Sequence, residues 1–279
     1  MNKIFNFFNV LITNNIEKVK IINRIITLIC IFLIFQTFKG FEVSLSWNIF
    51  YLYTAIIILI GYLCQSITWS LIIEDKIKKL RIESWFLSLV GKYLPLKLGV
   101  PLIRASEDFQ DNNADTKKYF FSVLKELLFQ VLSATGVVFV YLFSKYFGVQ
   151  YLFALLFYCF IVFLIYKKTQ YRNVLIFLTS TFSYIFYIFA INLLLEELNY
   201  SFALDIALVY ISVSVISLLF VGSPAGIGIR EYLLILFFED QVDFVNIDFL
   251  QIAILLRIIF INSDLFGFLI FKIKRFINS

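Results

Sequence analysis

The chain has 279 residues, 61% of them hydrophobic and 15% charged, with a formal net charge of +5. A soluble domain carries about 45–50% apolar and about 25% charged residues, so the excess apolar surface here must face lipid, and a soluble fold is excluded. The absence of histidine removes the commonest metal ligand and the commonest general base near neutral pH, and nothing in the pattern points to nucleic acid.

Along residues 1–20, Phe5, Phe8, Ile12, Ile16 and Val19 recur at helical spacing, which predicts a short interfacial helix. Asn6 and Asn9 interrupt this run and no small-residue cleavage site follows, so it does not read as a cleavable signal peptide. Apolar crossings are expected near residues 21–38 and 49–73. A less apolar segment, 82–104, carries Gly, Pro and Lys. Further crossings are expected near 119–143, 147–166, 174–195 and 202–221, then a Gly-rich break at 222–228 leading into 229–238, and a last crossing near 249–271. The expected fold class is an all-α polytopic membrane protein of about eight transmembrane helices, one integral membrane domain over 1–279. Two segments, 82–104 and 222–238, are broken or re-entrant. Tyr51, Tyr53, Tyr146, Tyr151 and Tyr200 lie near the ends of apolar runs, as an interfacial belt requires. Cys30, Cys64 and Cys159 lack paired spacing and read as small buried hydrophobes.

Orientation follows from Lys and Arg in the short loops. Lys3, Lys18, Lys20 and Arg24, then Lys76, Lys78, Lys79 and Arg81, then Lys167, Lys168 and Arg172, then Lys272, Lys274 and Arg275 all belong on the cytoplasmic side. The alternate loops are poor in cations. Both termini are therefore expected inside a bacterial or archaeal cytoplasmic membrane, with an even number of crossings.

Two segments carry the specific signal. The first holds Gly91, Lys92, Pro95, Lys97, Gly99, Pro101 and Arg104, followed by Glu107; the second holds Gly222, Pro224, Gly226, Gly228, Arg230 and Glu231. Both run Gly, Pro, Gly, Arg, Glu, the order an internal two-fold repeat would leave, although the spacing differs between them. Gly and Pro interrupt the helical hydrogen-bond ladder, and freed backbone at membrane depth is tolerated only where protein or a water-filled cavity surrounds it. Paired interruptions point to a transporter's substrate site. A helix starting after Gly228 turns free N–H groups one way and Arg230 adds a positive charge, a combination suited to a lipid phosphate. For either segment the bland alternative is an ordinary helix break with an interfacial Arg.

Other ionisable residues lie within apolar runs, where charge is costly unless paired or hydrated. Arg257, mid-way along the last crossing, reads as lining a hydrated cavity. The structural alternative is a pair with Asp264, two turns along the same face, or with Glu231. Lys125 and Glu126, early in their crossing, read as interfacial.

At these residues the chain resembles the membrane domain of the lysylphosphatidylglycerol synthase/flippase family. The sequence Gly91-Lys92-Tyr93-Leu94-Pro95-Leu96-Lys97 is similar to that family's Gly-Lys-Tyr-(Ile/Leu)-Pro-x-Lys motif. Pro224-Ala225-Gly226-Ile227-Gly228-Ile229-Arg230-Glu231 is similar to its Pro-x-Gly-(Leu/Ile)-Gly-(Val/Ile)-Arg-Glu motif, and Leu256-Arg257 to its closing helix. Ala225 stands where a Gly is common, and Asn262–Asp264 replaces residues that often include Pro. The resemblance implies a lipid-handling membrane domain. The family's flippases carry a soluble aminoacyl-transferase domain after the membrane part, whereas this sequence stops at Ser279, so aminoacyl transfer by the chain alone is not expected.

The leading expectation is a lipid translocase that moves an anionic phospholipid or a polyprenyl or glycolipid. Arg104, Arg230 and Arg257 would contact its phosphate. Lys92 and Lys97 would raise the local potential, with Gly226, Gly228 and Glu231 completing the headgroup site. No catalytic residue, cofactor or metal is expected. The alternatives are a membrane-embedded transferase using Glu107, Asp108, Glu126, Glu231 or Asp264, and a non-catalytic subunit of an envelope glycolipid or polysaccharide pathway. A glycosyltransferase or lipid-synthesis enzyme would be a partner. No nucleotide-binding loop is present, so uphill transport would need an ion gradient or a partner.

Overall fold

A computed structural model describes residues 49–74, 76–93, 100–101, 103–104, 116–147, 171–200, 202–219, 229–238 and 249–277. The expected interfacial helix over 1–20, the crossings near 21–38 and 147–166 and the break at 222–228 lie outside the described residues. So do Pro95, Lys97, Gly99, Gly222, Pro224, Gly226 and Gly228. Among the described residues the fold is all-helical. The helices are α1 (Ile49–Glu74), α2 (Lys79–Leu87), α3 (Thr116–Phe147), α4 (Tyr171–Glu197), α5 (Ala203–Leu219), α6 (Ile229–Phe238) and α7 (Phe249–Ile277), with a 3₁₀ turn at Leu89–Tyr93 after α2.

Four of these helices, α1, α3, α4 and α7, hold runs of 25 to 27 residues long and apolar enough to cross a membrane. At 1.5 Å per residue each exceeds the roughly 30 Å hydrocarbon layer. They fit a membrane-embedded bundle. The expectation of eight crossings goes beyond these four. Helix α5 spans about 26 Å and α6 only about 15 Å by the same rise.

Burial separates the helices. The α1 span is 61% buried and the α4 span 56%, against 33% for α3. Helix α3 turns Leu124, Leu128, Leu132, Phe139 and Leu142 outward, at the three- and four-residue spacing of one helix face. Helices α1 and α4 form the centre. Any side chain larger than hydrogen at Gly61 would collide with the Tyr187 ring, so that ring packs directly on the α1 backbone there. Polar stitches run along the same contact: Gln65 Nε2 donates to Ser183 Oγ at 2.7 Å, and Thr68 and Thr179 share a hydroxyl–hydroxyl bond at 2.7 Å. In lipid, close backbone approach and such bonds replace the hydrophobic drive that pairs helices in water.

Helix ends are secured by named groups. Arg172 donates to the Leu71 and Ile72 carbonyls at 2.7 Å each, satisfying the last turn of α1 and placing a cation at its negative end. Ser70 Oγ accepts from Lys78 N at 2.7 Å and donates to the Lys76 carbonyl at 2.9 Å, holding the α1–α2 turn. Helix α4 ends on Asn199 at φ 61°, where Tyr200 N returns to the Leu195 carbonyl at 3.0 Å, the left-handed cap that Asn tolerates.

The first broken segment is visible in part. Helix α2 stops at Leu87, ahead of Gly91, and Ser88 is its C-cap. The chain tightens into the 3₁₀ turn, where Gly91 N donates to the Ser88 carbonyl at 2.8 Å. Val100, Pro101, Ile103 and Arg104 are helical again. Trp85, Phe86, Leu89, Val90 and Tyr93 are buried, Phe86 stacking on Phe271 of α7 at 4.3 Å between ring centres.

Candidate functional site

Two polar clusters interrupt the apolar interior. The first is built on Arg104 and Glu126, 4% and 3% exposed. Their side chains form an ion pair. The Arg104 guanidinium lies over the Trp69 ring at 4.1 Å, and its Nε donates to Ser88 Oγ at 2.9 Å. Glu126 also accepts from Trp85 Nε1 at 2.8 Å and from Gln130, which reaches on to Gln65 of α1 at 3.2 Å. This cluster ties α1, α2 and α3 to Arg104, whose Nε and Nη1 are engaged within the protein. Glu126 corrects the interfacial expectation: α3 begins at Thr116, so Glu126 is ten residues, about 15 Å, along the helix on its inward face.

The second cluster is built on Asp264 of α7, which is fully buried. Its Oδ2 accepts from the Tyr93 hydroxyl and pairs with the Lys92 ammonium. Tyr62 of α1 and Tyr187 of α4 face the same carboxylate, the Tyr62 hydroxyl lying close to it. Lys92 keeps 34% of its side chain exposed. Arg257, also on α7, pairs with Glu231 in the first turn of α6. Arg230, next to Glu231, donates from Nε to Ser217 Oγ of α5 at 2.9 Å and faces Tyr210. Arg230 and Arg257 both act electrostatically on Lys92 and Tyr93.

The second cluster therefore gathers three cations (Lys92, Arg230, Arg257) against two carboxylates (Asp264, Glu231), an excess of one positive charge. Among the described residues Arg230 pairs with no carboxylate and meets the hydroxyls of Ser217 and Tyr210. Tyr184 of α4 is buried and feels the charges of both Arg230 and Glu126. Charges at this depth in apolar helices attract one another strongly and are costly to leave unpaired.

Of the residues singled out from sequence, Lys92, Arg230, Glu231 and Arg257 come together, with Gly91 at the head of the turn that carries Lys92. Arg104 belongs to the other cluster. Of the alternatives for Arg257, the pair with Glu231 is the one formed; Asp264 turns to Lys92 instead. The sequence reading missed Tyr62, Tyr184, Tyr187 and Ser217. The tyrosines carried a usable signal: Tyr62 and Tyr187 lie mid-way along their helices, where an interfacial belt has no use for a hydroxyl.

Compared with known proteins, the chain matches no family model, no curated protein and no solved structure.

Proposed function

We propose that the chain is a lipid translocase of the cytoplasmic membrane of a bacterium or archaeon, with both termini inside, and that the Lys92–Arg230–Arg257 cluster receives an anionic lipid headgroup. The single observation that carries this reading is the unbalanced cation among membrane helices: Arg230 meets only hydroxyls among the described residues while Arg257 and Lys92 each hold a carboxylate. An entering phosphate gives Arg230 a counter-ion and forms charge-assisted hydrogen bonds. The residues resembling the lysylphosphatidylglycerol flippase motifs supply Lys92, Arg230, Glu231 and Arg257, which agrees with the chain being a member of that family. Acyl chains stay in the bilayer beside the outward-facing Phe and Leu side chains.

The test is reconstitution. Purified protein in liposomes should accelerate movement of a tail-labelled anionic lipid, and Arg230→Ala should abolish the acceleration while the protein stays folded. Wild-type rates equal to those of empty liposomes, across phospholipid and polyprenyl probes, would overturn the reading. A harmless Arg230→Ala would point instead to a non-catalytic subunit of a lipid-synthesis or glycosyltransferase complex.

A further inference from the structure

We infer that the site carries its anion without a companion ion, so that the membrane potential itself drives the lipid from the cytoplasmic leaflet to the outer one; this rests on the translocase reading above. The starting observation is the charge of the second cluster. Lys92, Arg230 and Arg257 stand against Asp264 and Glu231. The same five groups act on the tyrosines around them: Tyr93 feels Asp264, Arg230 and Arg257, and Tyr210 feels Arg230, Arg257 and Glu231. Among the described residues the empty site thus holds one positive charge in excess. The first cluster differs, because Arg104 and Glu126 balance each other.

The size of the excess selects what can travel. An uncompensated charge within the hydrocarbon layer is costly, so a loaded site crosses most easily when it is neutral. One singly charged anion cancels an excess of one, and the lipid alone suffices. A proton or metal cation taken up with it would restore the excess. A site with equal numbers of cations and carboxylates, like the first cluster, would turn negative on loading and would call for a cation to accompany the anion.

The direction of transport follows. The loaded site is neutral and crosses without regard to the potential. The empty site returns with one positive charge, which a negative cell interior pulls inward. Each turn therefore exports one negative charge, and the potential resets the carrier for the next. Glu231 on α6 and Asp264 on α7 set this number. Neutralising either one raises the excess to two, and the site then suits a doubly charged head.

The experiment uses large liposomes holding the full chain, a trace of tail-labelled phosphatidylmethanol (a singly charged phosphodiester), and valinomycin with a potassium gradient. With potassium about tenfold higher inside, wild type should bring the label to about a tenfold excess in the outer leaflet, the ratio at which one charge per lipid balances the gradient. Reversing the gradient should reverse the excess, and a pH gradient without a potential should leave the label even. As a readout independent of transport, Glu231→Gln and Asp264→Asn should each bind short-chain phosphatidic acid, which carries close to two charges at about pH 8, more tightly relative to short-chain phosphatidylmethanol than wild type does. The shift should be about tenfold, the effect of one added charge a few ångströms away. The two variants stand on different helices, so a folding defect in one leaves the other to report. Even label under the potassium gradient, an excess set by the pH gradient instead, or a preference unchanged in the folded variants overturns the inference and leaves the translocase reading standing. Label that moves under no gradient, with no binding of either lipid, overturns the translocase reading and the inference with it.

Discussion

Replacing Arg104 by Met separates a structural role from a ligand-binding one. The substitution keeps an unbranched apolar stem but removes the guanidinium that lies over Trp69 and pairs with Glu126. Glu126 is 3% exposed and would keep only Trp85 Nε1 and Gln130 as donors. Breaking a buried pair from one side costs about 3–5 kcal/mol, because an uncompensated charge remains. For a chain of this size that corresponds to a fall in melting temperature on the order of 10 °C. The double variant Arg104→Met with Glu126→Gln removes both charges and keeps an acceptor for Trp85, so it should recover most of the loss. Thermal unfolding in detergent, followed by intrinsic Trp fluorescence and by monodispersity on gel filtration, measures all three proteins. A single variant that melts with wild type but no longer moves lipid would refute the reasoning and return Arg104 to the headgroup site.

Other outcomes follow from the same contacts. Gly61→Val should push the Tyr187 ring out of the α1–α4 contact and leave little monodisperse protein, and Tyr187→Ala in the same chain should restore part of the yield. Arg172→Gln should uncover the Leu71 and Ile72 carbonyls at the end of α1, lowering stability by about 1–2 kcal/mol and speeding amide exchange in the last turn. Asn199→Gly should hold or slightly raise the melting temperature, while Asn199→Val should lower stability by about 1–2 kcal/mol, since a β-branched side chain resists φ 61°.

The bounds of several described helices were legible in the sequence, because a membrane span shows as a long unbroken apolar run, although α7 runs six residues past its expected end and α2 was not foreseen as a separate helix. The expected 49–73, 174–195 and 229–238 segments match α1, α4 and α6 within three residues, and α2 gives way to a 3₁₀ turn at Leu89–Tyr93, inside the first segment. Pairing was less legible. Asp264 and Arg257 share one face of α7, which suggested a partnership, yet each finds its partner on another element. Lys92 is 172 positions from Asp264, and no local spacing encodes that contact. Glu126 was misread because Lys125 beside it looks like an interfacial anchor, and the inward turn of α3 depends on where that helix starts. Arg104 occupies the motif position expected of a phosphate ligand, and its contacts with Trp69, Ser88 and Glu126, brought in from three other elements, are encoded by no local spacing.

The stitched contact between α1 and α4 has a consequence for how this chain tolerates change. On the lipid-facing stripe of α3, Leu, Phe and Ile are interchangeable, since the solvent there is itself hydrocarbon. At Gly61, Gln65, Thr68, Thr179 and Ser183 the loss of one hydroxyl or the gain of one methyl alters which helices meet. The fold is thus written in its small and polar residues and its buried apolar ones, while its outward-facing apolar residues can drift. A mutational scan read with soluble-protein intuition would rank these positions upside down.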